Sequence, residues 1–372
     1  MKKILFIATI AEHFYYFHLP YFEMFKKAGW QVDVASHGDV ELPFCDNRYE
    51  IPIQRSPFDK RNFSAYKKLK RIINENNYDI VHCHTPMGGL LGRLAAAKQR
   101  KNGTKVMYTA HGFHFCTGAP PVNWLVYFPI EYVMSFFTDC LITINDEDFF
   151  RAKKFFKIKI IKKVDGVGYN CEKYFPVSVE EKEKLRKKYG YKSDEKILIY
   201  VAELNKNKNQ KMLILMLKEL LKTNENVRLV LAGADNINGY YQKFAKETGV
   251  YEKIDFKGHC ENIDDLLHIS DIAVASSIRE GLPVNVMEAL GCGLPAVLSN
   301  NRGHRVLVKD NYNGFVVKAD DYISMANKIQ EIICSEKKYK IFSENAISSA
   351  ERFSAKTVVP EMHRIYKEIN AV

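Results

Sequence analysis

The chain has 372 residues, 47% of them hydrophobic, which is enough for two domains of ordinary size. Its 55 lysines and arginines outnumber its 44 acidic residues, and the net charge of +11 favours an anionic partner, either nucleic acid or a phosphate-bearing membrane surface. The 8 cysteines form no C-x-x-C pair, which argues against a disulfide or zinc framework and for free thiols in a reducing cytoplasm.

The chain opens on an apolar run, MKKILFIATI, that we interpret as a first core strand. The run stops at Glu12 and His13 and lacks a small-residue cleavage site, so it does not resemble a signal peptide. The nearest candidate for a membrane span, residues 120–137, is interrupted by Glu131. We therefore expect a cytoplasmic protein without a transmembrane segment.

Strands and helices alternate through the first part of the chain. The predicted strands are Lys3–Thr9, Gln31–Ala35, Ile80–His84, Lys105–Thr109 and Cys140–Ile144, and the predicted helices are Tyr15–Ala28, Ala65–Asn76, Pro86–Arg100 and Trp124–Phe137. This alternation indicates a parallel sheet with helices on both faces. Since no G-x-G-x-x-G follows the first strand, this half lacks the dinucleotide-binding fingerprint.

A second alternation begins after a heavily charged helix predicted at Val179–Tyr189. Its strands are Ile197–Val201, Arg228–Ala232, Lys253–Phe256, Asp271–Ala275 and Leu294–Ser299, and its helices are Gln210–Thr223, Tyr240–Thr248, Ile263–Ile269, one opened by Pro283, and Tyr322–Cys334. We therefore predict an α/β protein with two Rossmann-like, doubly wound parallel-sheet domains, 1–165 and 166–354.

The stretch DIAVASSIREGLPVNVMEALGCGLPAVLSN, residues 271–300, gives the strongest chemical signal. Pro283 suits a helix start, and the free N–H groups of a helix start bind anions. Glu280 and Glu288 flank that start. A carboxylate accepts both hydroxyls of a vicinal diol. One diol on each side of a phosphate group describes a nucleotide-sugar.

The motif E-G-L-P-V-N-V-M-E, followed by A-L-G-C-G-L-P-A-V, resembles the signature of the family 4 retaining glycosyltransferases. The resemblance extends over nearly the whole chain, and capsule, exopolysaccharide and O-antigen transferases of bacteria are the most similar. It implies the GT-B fold, with two domains facing across a cleft, and a metal-independent transfer. Residues 1–165 would be the acceptor side, with the C-terminal helix, 355–372, packing back on them, and residues 166–354 would bind the nucleotide-sugar.

The resemblance also assigns site residues. Glu280 would meet the donor sugar and Glu288 the nucleotide ribose, and His111, in Y-T-A-H-G-F-H-F, matches a catalytic cleft histidine. Lys208, in A-E-L-N-K-N-K-N-Q, matches the lysine that binds the diphosphate. The family usually has Arg where this chain has Glu203, a loss for which Lys206 could compensate. The remaining donor-binding candidates are Gly281, Leu282, Pro283, Asn285, Gly233 and His259.

Several other histidines have open interpretations. His13 and His18 could meet the acceptor, although a capping or surface role fits them equally well. His82, His84, His111 and His114 could be imagined around a metal ion, but they lack a nearby carboxylate and the usual ligand spacing. The sequence therefore predicts no metal and no cofactor.

Basic and aromatic residues interleave at Phe58–Arg71 and Arg151–Lys163, a composition that suits an anionic bilayer surface as well as an ordinary solvated face. With the resemblance, this predicts a peripheral enzyme at the inner face of the cell membrane. Its donor would be a UDP-linked sugar and its acceptor a lipid-diphosphate-linked saccharide, with no role for nucleic acid. An epimerase or hydrolase of the same fold and a non-catalytic donor-binding subunit are the alternatives, and a nucleic-acid binder without a recognition motif is a third.

Overall fold

The computed structural model describes residues 1–371, which divide into two compact units. The first unit comprises residues 1–168 and the segment from Ala355 onward, and the second comprises Tyr169–Ser354. The sequence placed the first border at 165/166 and the second at 354/355. No helix within residues 1–371 is both long and apolar enough to cross a bilayer.

The first unit is a parallel sheet with helices packed against it. Its elements before residue 169 are β1 (Lys3–Ile10), α1 (Glu12–Phe17), α2 (Leu19–Lys27), β2 (Gln31–His37), β3 (Asn47–Glu50), α3 (Arg61–Asn76), β4 (Ile80–His84), α4 (Pro86–Lys101), β5 (Lys105–Ala110), α5 (Pro121–Ser135), β6 (Cys140–Thr143), α6 (Asp146–Phe155) and β7 (Ile160–Lys163). Within the described residues the sheet has 7 strands in the order β3-β2-β1-β4-β5-β6-β7. The strand order therefore reverses between β1 and β4.

The predicted helix Tyr15–Ala28 is wrong, because the chain forms two helices that meet at His18. Pro20 lies in the first turn of α2, where its missing N–H costs nothing. Inside one continuous helix the same ring would clash with the carbonyl four residues earlier. The break turns the His18 side chain into the core, where it is 2% exposed, so its interpretation as a surface residue is also wrong.

The second unit repeats the architecture with a different set of elements. These are α7 (Val179–Tyr189), β8 (Lys196–Val201), α8 (Gln210–Leu220), β9 (Val227–Ala232), α9 (Tyr240–Glu247), β10 (Ile254–Gly258), α10 (Ile263–Ile269), β11 (Ile272–Ala275), α11 (Val284–Gly291), β12 (Ala296–Ser299), α12 (Arg302–Leu307), β13 (Gly314–Val317), α13 (Tyr322–Ile333) and α14 (Glu336–Ala350). Among the residues described, the sheet has 6 parallel strands in the order β10-β9-β8-β11-β12-β13. Its strand order reverses between β8 and β11.

A buried ion pair anchors the entry to β8 and β11. Asp271 accepts from the Arg186 guanidinium of α7 at 2.6 Å and from the backbone N–H of Ile197 at 2.8 Å. Because these groups lie at the start of the strands, the opposite, carboxyl-terminal edge of the sheet is left to the loops. That edge carries the motif residues of the 271–300 stretch.

The last helix, α15 (Ala355–Ala371), belongs to the first unit although it follows the second in sequence. It contacts α2, and the Tyr366 hydroxyl lies 2.7 Å from Nδ1 of His82 on β4. Val358, Tyr366 and Ile369 are buried. The helix therefore completes the core of the first unit.

Candidate functional site

In the second unit, the loops after β8 and β11 meet where the strand order reverses. The Ser276 hydroxyl donates to the Lys208 carbonyl at 2.7 Å, and the Ile278 N–H donates to the Asn207 carbonyl at 2.8 Å. The Asn207 side chain donates in turn to the Arg279 carbonyl at 3.1 Å. In open α/β sheets, ligands bind outside the carboxyl ends of the strands at such a reversal.

A close ion pair lies at this junction. Nζ of Lys208 is 2.6 Å from Oε1 of Glu280, and the two side chains are only 22% and 14% exposed. The pair joins the predicted phosphate-binding lysine to the predicted sugar-binding carboxylate. Both groups are half-buried, so removal of either one would leave the other as a poorly solvated charge without a counterion.

Helix α11 begins directly beside the pair. Its N-cap is Pro283, which offers no side chain to the free N–H groups of the first turn, and that turn contains no acidic residue. Asn285 does not face a ligand with its amide nitrogen, because Nδ2 donates to the Val201 carbonyl at 2.7 Å and holds the helix start against the end of β8. The helix start therefore remains available to an anion.

Glu288 lies on α11, half-buried beside Tyr174 and Lys173. Burial raises the pKa of Glu288 to about 8, although the Lys173 charge and a hydrogen bond from Tyr174 act to lower it. The carboxyl is therefore largely protonated at neutral pH. A ligand that donates hydrogen bonds to its oxygens would favour the ionised form.

Four histidines converge in the first unit at the reversal between β1 and β4: His13 of α1, His18, His84 at the end of β4, and His111 after β5. Nδ1 of His84 lies 3.3 Å from Nε2 of His111. Burial lowers the pKa of His111 to about 4 and lowers that of His84 well below its usual range. These imidazoles are neutral at physiological pH.

His82 and His114, which the sequence grouped with His84 and His111, lie outside this cluster. Both ring nitrogens of His82 are engaged, with Tyr366 at 2.7 Å and with Thr109 at 2.8 Å. The exposed His114 stacks on Tyr127, with 4.5 Å between the ring centroids. The histidines that lie together are therefore His84 and His111 with His13 and His18. His82 and His114, which the sequence had grouped with them, are not part of the cluster.

Comparison with known proteins decides the family. Residues 3–145 match the family described as Glycosyl transferase 4-like, and residues 181–349 match Glycosyl transferases group 1. EpsD of Bacillus subtilis, whose name describes a glycosyltransferase, is 47% identical over 366 residues, 98% of this chain and 96% of EpsD. The chain belongs to the group 1 glycosyltransferases.

A second relative and a solved structure are also similar to this glycosyltransferase. A UDP-Gal:alpha-D-GlcNAc-diphosphoundecaprenol alpha-1,3-galactosyltransferase of Escherichia coli is 28% identical over 296 residues, 77% of this chain and 75% of the relative. The structure of Anabaena Alr3699/HepE with UDP and glucose matches with a TM-score of 0.80 and 19% identity, covering 99% of this chain and 100% of that one. The predicted α/β fold with two parallel sheets is confirmed as GT-B.

Other predicted donor residues of the glycosyltransferase lie around the same sheet edge. Gly233 has a φ of +156°, and an added Cβ would lie 2.1 Å from the Ala202 carbonyl oxygen, so close backbone approach by itself requires glycine there. His259 and Lys206 are exposed, in the loops after β10 and β8. Glu203 accepts a hydrogen bond from Asn236 at 3.0 Å. Gly281 and the buried Leu282 lead into Pro283.

The loop after β12, which no sequence motif indicated, contacts Glu280 as well. Nε of Arg302 donates to the Glu280 carbonyl at 3.2 Å, and an added Cβ at Gly303 would lie 3.0 Å from Cβ of Glu280. Nδ1 of the buried His304 lies 2.6 Å from the Ser299 carbonyl, which makes that nitrogen the donor. The available signal was positional: polar residues that directly follow a buried parallel strand.

Proposed function

We propose that this glycosyltransferase transfers a hexose or N-acetylhexosamine from a UDP-sugar to a lipid-diphosphate-linked oligosaccharide, with retention of configuration and without a metal. The product would be an intermediate of a bacterial surface polysaccharide. The observation that carries the proposal is the Lys208–Glu280 ion pair beside the start of α11. The galactosyltransferase relative, whose name specifies a UDP-sugar and a diphosphoundecaprenol-linked sugar, supports the choice of donor and acceptor.

The donor would lie along the carboxyl-terminal edge of the second sheet. Its diphosphate accepts hydrogen bonds from Nζ of Lys208 and from the N–H groups at the start of α11. When Lys208 turns to the phosphate, Glu280 becomes free to accept hydroxyl groups of the hexose. Glu288, five residues after Pro283 on the far side of the helix start, accepts the two ribose hydroxyls.

Bond cleavage would place new negative charge on the departing UDP. Lys208 and the α11 amides oppose that charge, and they do so more strongly in the transition state than in the ground state, which lowers the barrier. In the first unit, the proposed role of the neutral His111 is to hydrogen-bond a hydroxyl of the donor sugar. By the family resemblance, the acceptor hydroxyl attacks from the leaving-group side and a phosphate oxygen takes its proton.

A donor panel tests the proposal. We expect one UDP-sugar to raise the melting temperature more than UDP alone does, and we expect GDP-mannose to have no effect. The same donor should then label an undecaprenyl-diphosphate-linked sugar, in the presence of EDTA, with the anomeric configuration preserved in the NMR spectrum of the product. Release or epimerisation of the sugar without acceptor would favour the hydrolase or epimerase alternative, and binding without turnover would favour a non-catalytic subunit.

We also propose that the first unit docks on the anionic inner face of the cell membrane, where a lipid-linked acceptor resides. Exposed apolar side chains on α5 and α6 support this, including Leu125 at 77% and Phe150 at 64%. The exposed Lys153 and Lys154 lie on α6 beside them. Apolar side chains among lysines are typical of a surface that enters the headgroup region.

Vesicle sedimentation tests the docking surface. The double variant Leu125→Ser/Phe150→Ser should bind vesicles that contain phosphatidylglycerol at least about tenfold more weakly, because the water-to-lipid transfer of both apolar side chains is lost. Lys153→Gln/Lys154→Gln should weaken binding to these vesicles only at low salt. Phe175→Ser, which changes a residue 45% exposed in the second unit, is the matched control. Equal binding by all variants would contradict this surface.

A further inference from the structure

Four imidazoles of the first unit face one another in a way that the proposed function does not require. His13, His18, His84 and His111 each contribute a ring nitrogen, and these four atoms lie within 4.8 Å of one another. The histidines come from α1, the α1–α2 junction, the end of β4 and the loop after β5. The group therefore joins three separate parts of the chain at the strand-order reversal.

Two of the ring nitrogens lack a protein partner. Nε2 of His13 and Nε2 of His84 are buried and make no hydrogen bond within residues 1–371. His84 itself is 1% exposed. A buried polar atom without a partner destabilises the folded state, so its presence calls for a group that would satisfy it.

His82 provides an internal contrast because it lies two residues before His84 on the same strand, with 4.1 Å between the ring centroids. Its two nitrogens are satisfied by Tyr366 and Thr109. The fold thus supplies hydroxyl partners for one buried histidine on β4 and leaves the next without one. The difference points to a ligand at His84.

The distances fit a coordinated cation. Two nitrogen ligands of a tetrahedral zinc ion are about 3.3 Å apart, given Zn–N bonds of about 2.0–2.1 Å. The ring nitrogens of the four histidines lie within 4.8 Å of one another, at most about 1.5 Å beyond this spacing. Small rotations of the imidazole side chains would close this difference. Imidazole is a preferred ligand of zinc, copper, iron and nickel, but not of magnesium or calcium.

We propose that His13, His18, His84 and His111 together bind one divalent transition-metal ion, of which Zn²⁺ is the first candidate. Four protein ligands complete a tetrahedral zinc shell and leave no position for a reactive water, as in structural zinc sites. Phe6 and Phe14 lie against His84, with centroid distances of 6.1 and 5.8 Å, and give the site an apolar wall. The bound ion would clamp α1, β4 and β5 at the sheet edge.

Metal binding would also compete with transfer. His111 cannot hydrogen-bond a donor hydroxyl while its nitrogen is coordinated, so Zn²⁺ would inhibit the enzyme. This consequence rests on the role proposed for His111, whereas the metal site itself rests only on the cluster.

Metal analysis of protein without a polyhistidine tag tests the site. Protein stripped with a chelator and dialysed against Zn²⁺ should retain about one zinc per chain. Co²⁺ should give the intense visible absorption of a tetrahedral complex, and Mg²⁺ should not be retained. Failure to retain Zn²⁺ would overturn the proposal.

A matched pair of variants locates the ion. His13→Gln should weaken Zn²⁺ binding tenfold or more. Even the loss of a residue that only supports a metal ligand lowers metal affinity by about 10- to 100-fold, and His13 would be a ligand itself. His268→Gln is the control, since His268 is also half-buried with an Nε2 that has no partner among the described residues but lies in the second unit. Equal losses in both variants would overturn the assignment. Circular dichroism checks that each variant is folded.

Rate measurements separate the site from its consequence. With the donor and acceptor established, Zn²⁺ should inhibit transfer with a constant equal to its dissociation constant from dialysis, and His13→Gln should raise both by the same factor. If Zn²⁺ binds tightly but does not inhibit transfer, the proposed competition is wrong and the metal site stands. If no transfer is found, the dialysis result still decides whether the metal site exists.

Discussion

Lys208 and Glu280 compensate each other's charge, with 2.6 Å between Nζ and Oε1. A diphosphate that displaces Glu280 from Lys208 must therefore interact with Lys208 more strongly than Glu280 does. It does so with several charged oxygens, and the hexose hydroxyls then compensate Glu280. Donor binding would exchange one ion pair for a network, which couples recognition of the phosphate to recognition of the sugar.

Replacement of this lysine should affect turnover more than binding. Lys208→Met should lower kcat by about 100-fold or more, the usual effect of removing a group that stabilises developing negative charge. Lys206→Met is the matched control, because Lys206 follows the same strand but is exposed, and it should lose less than about threefold. Steady-state kinetics with saturating acceptor measures both. If kcat falls further in Lys206→Met than in Lys208→Met, Lys206 and not Lys208 is the residue that binds the diphosphate.

The raised pKa of Glu288 predicts a proton release. Below about pH 8 the free carboxyl is protonated, and ribose hydroxyls donate to its ionised form. UDP binding at pH 7 should therefore release a proton, and the binding enthalpy should vary with the ionisation enthalpy of the buffer. Glu288→Gln, which cannot ionise, should bind more weakly and without this dependence. Identical buffer dependence in both proteins would contradict the ribose role.

The same shift predicts a pH effect on stability. In the unfolded chain Glu288 ionises near pH 4.3, whereas in the folded protein it ionises at about pH 8. The folded state thus binds the proton more tightly, and its stability relative to Glu288→Gln should be greatest below about pH 4 and should decline as the pH rises towards 8. Melting curves from pH 5 to 9 check the sign. A parallel pH profile for the variant would count against the burial of this carboxyl.

At the scale of elements, α11 depends on a close contact at its last residue. An added Cβ at Gly291 would lie 2.6 Å from the ring of Tyr169. Gly291→Ala should therefore destabilise the protein by about 1–3 kcal/mol through overpacking. In the Tyr169→Leu background, which removes the ring, Gly291→Ala should lower the free energy of unfolding by much less than it does in the original protein. Urea unfolding measures the four proteins, and strict additivity would show that the ring is not the obstacle.

The sequence predicted the central strands well and the edge strands poorly. Ile80–His84 was placed with both boundaries correct, because a buried parallel strand is a short apolar run between turn residues. The edge strand β3, with the sequence NRYE, and the short β7 and β13 were missed. The edge strand β3 presents little apolar surface, so its pattern hardly differs from that of a loop.

The candidate site shows the same division. Glu280 and Glu288 could be proposed from their spacing around one helix start, since the distance between them is local. The partner of Glu280 could not, because Lys208 is 72 residues away and only the neighbouring positions of β8 and β11 bring it near. The burial of His18 could not be predicted for a related reason. One continuous helix hid the break that turns its side chain inward.

At the scale of the whole molecule, the chain passes from the first unit to the second and back, at Gly168/Tyr169 and Ser354/Ala355. The second unit is therefore one continuous segment, while the first depends on α15 to complete its core. The Tyr366 contact to His82 and the buried face of α15 show what the first unit would lose without that helix.

This topology predicts that residues 169–354 fold and bind nucleotide alone. The segment contains the whole parallel sheet of the second unit, the Asp271 ion pairs and the Lys208, Glu280 and Glu288 side chains. The isolated segment should unfold cooperatively and bind UDP within about tenfold of the full chain, and it should transfer no sugar. Calorimetry provides both measurements, with Glu288→Gln in the isolated segment as the control for specific binding. A folded segment that does not bind UDP would show that nucleotide recognition requires residues outside 169–354, and the donor site proposed here would then be incomplete.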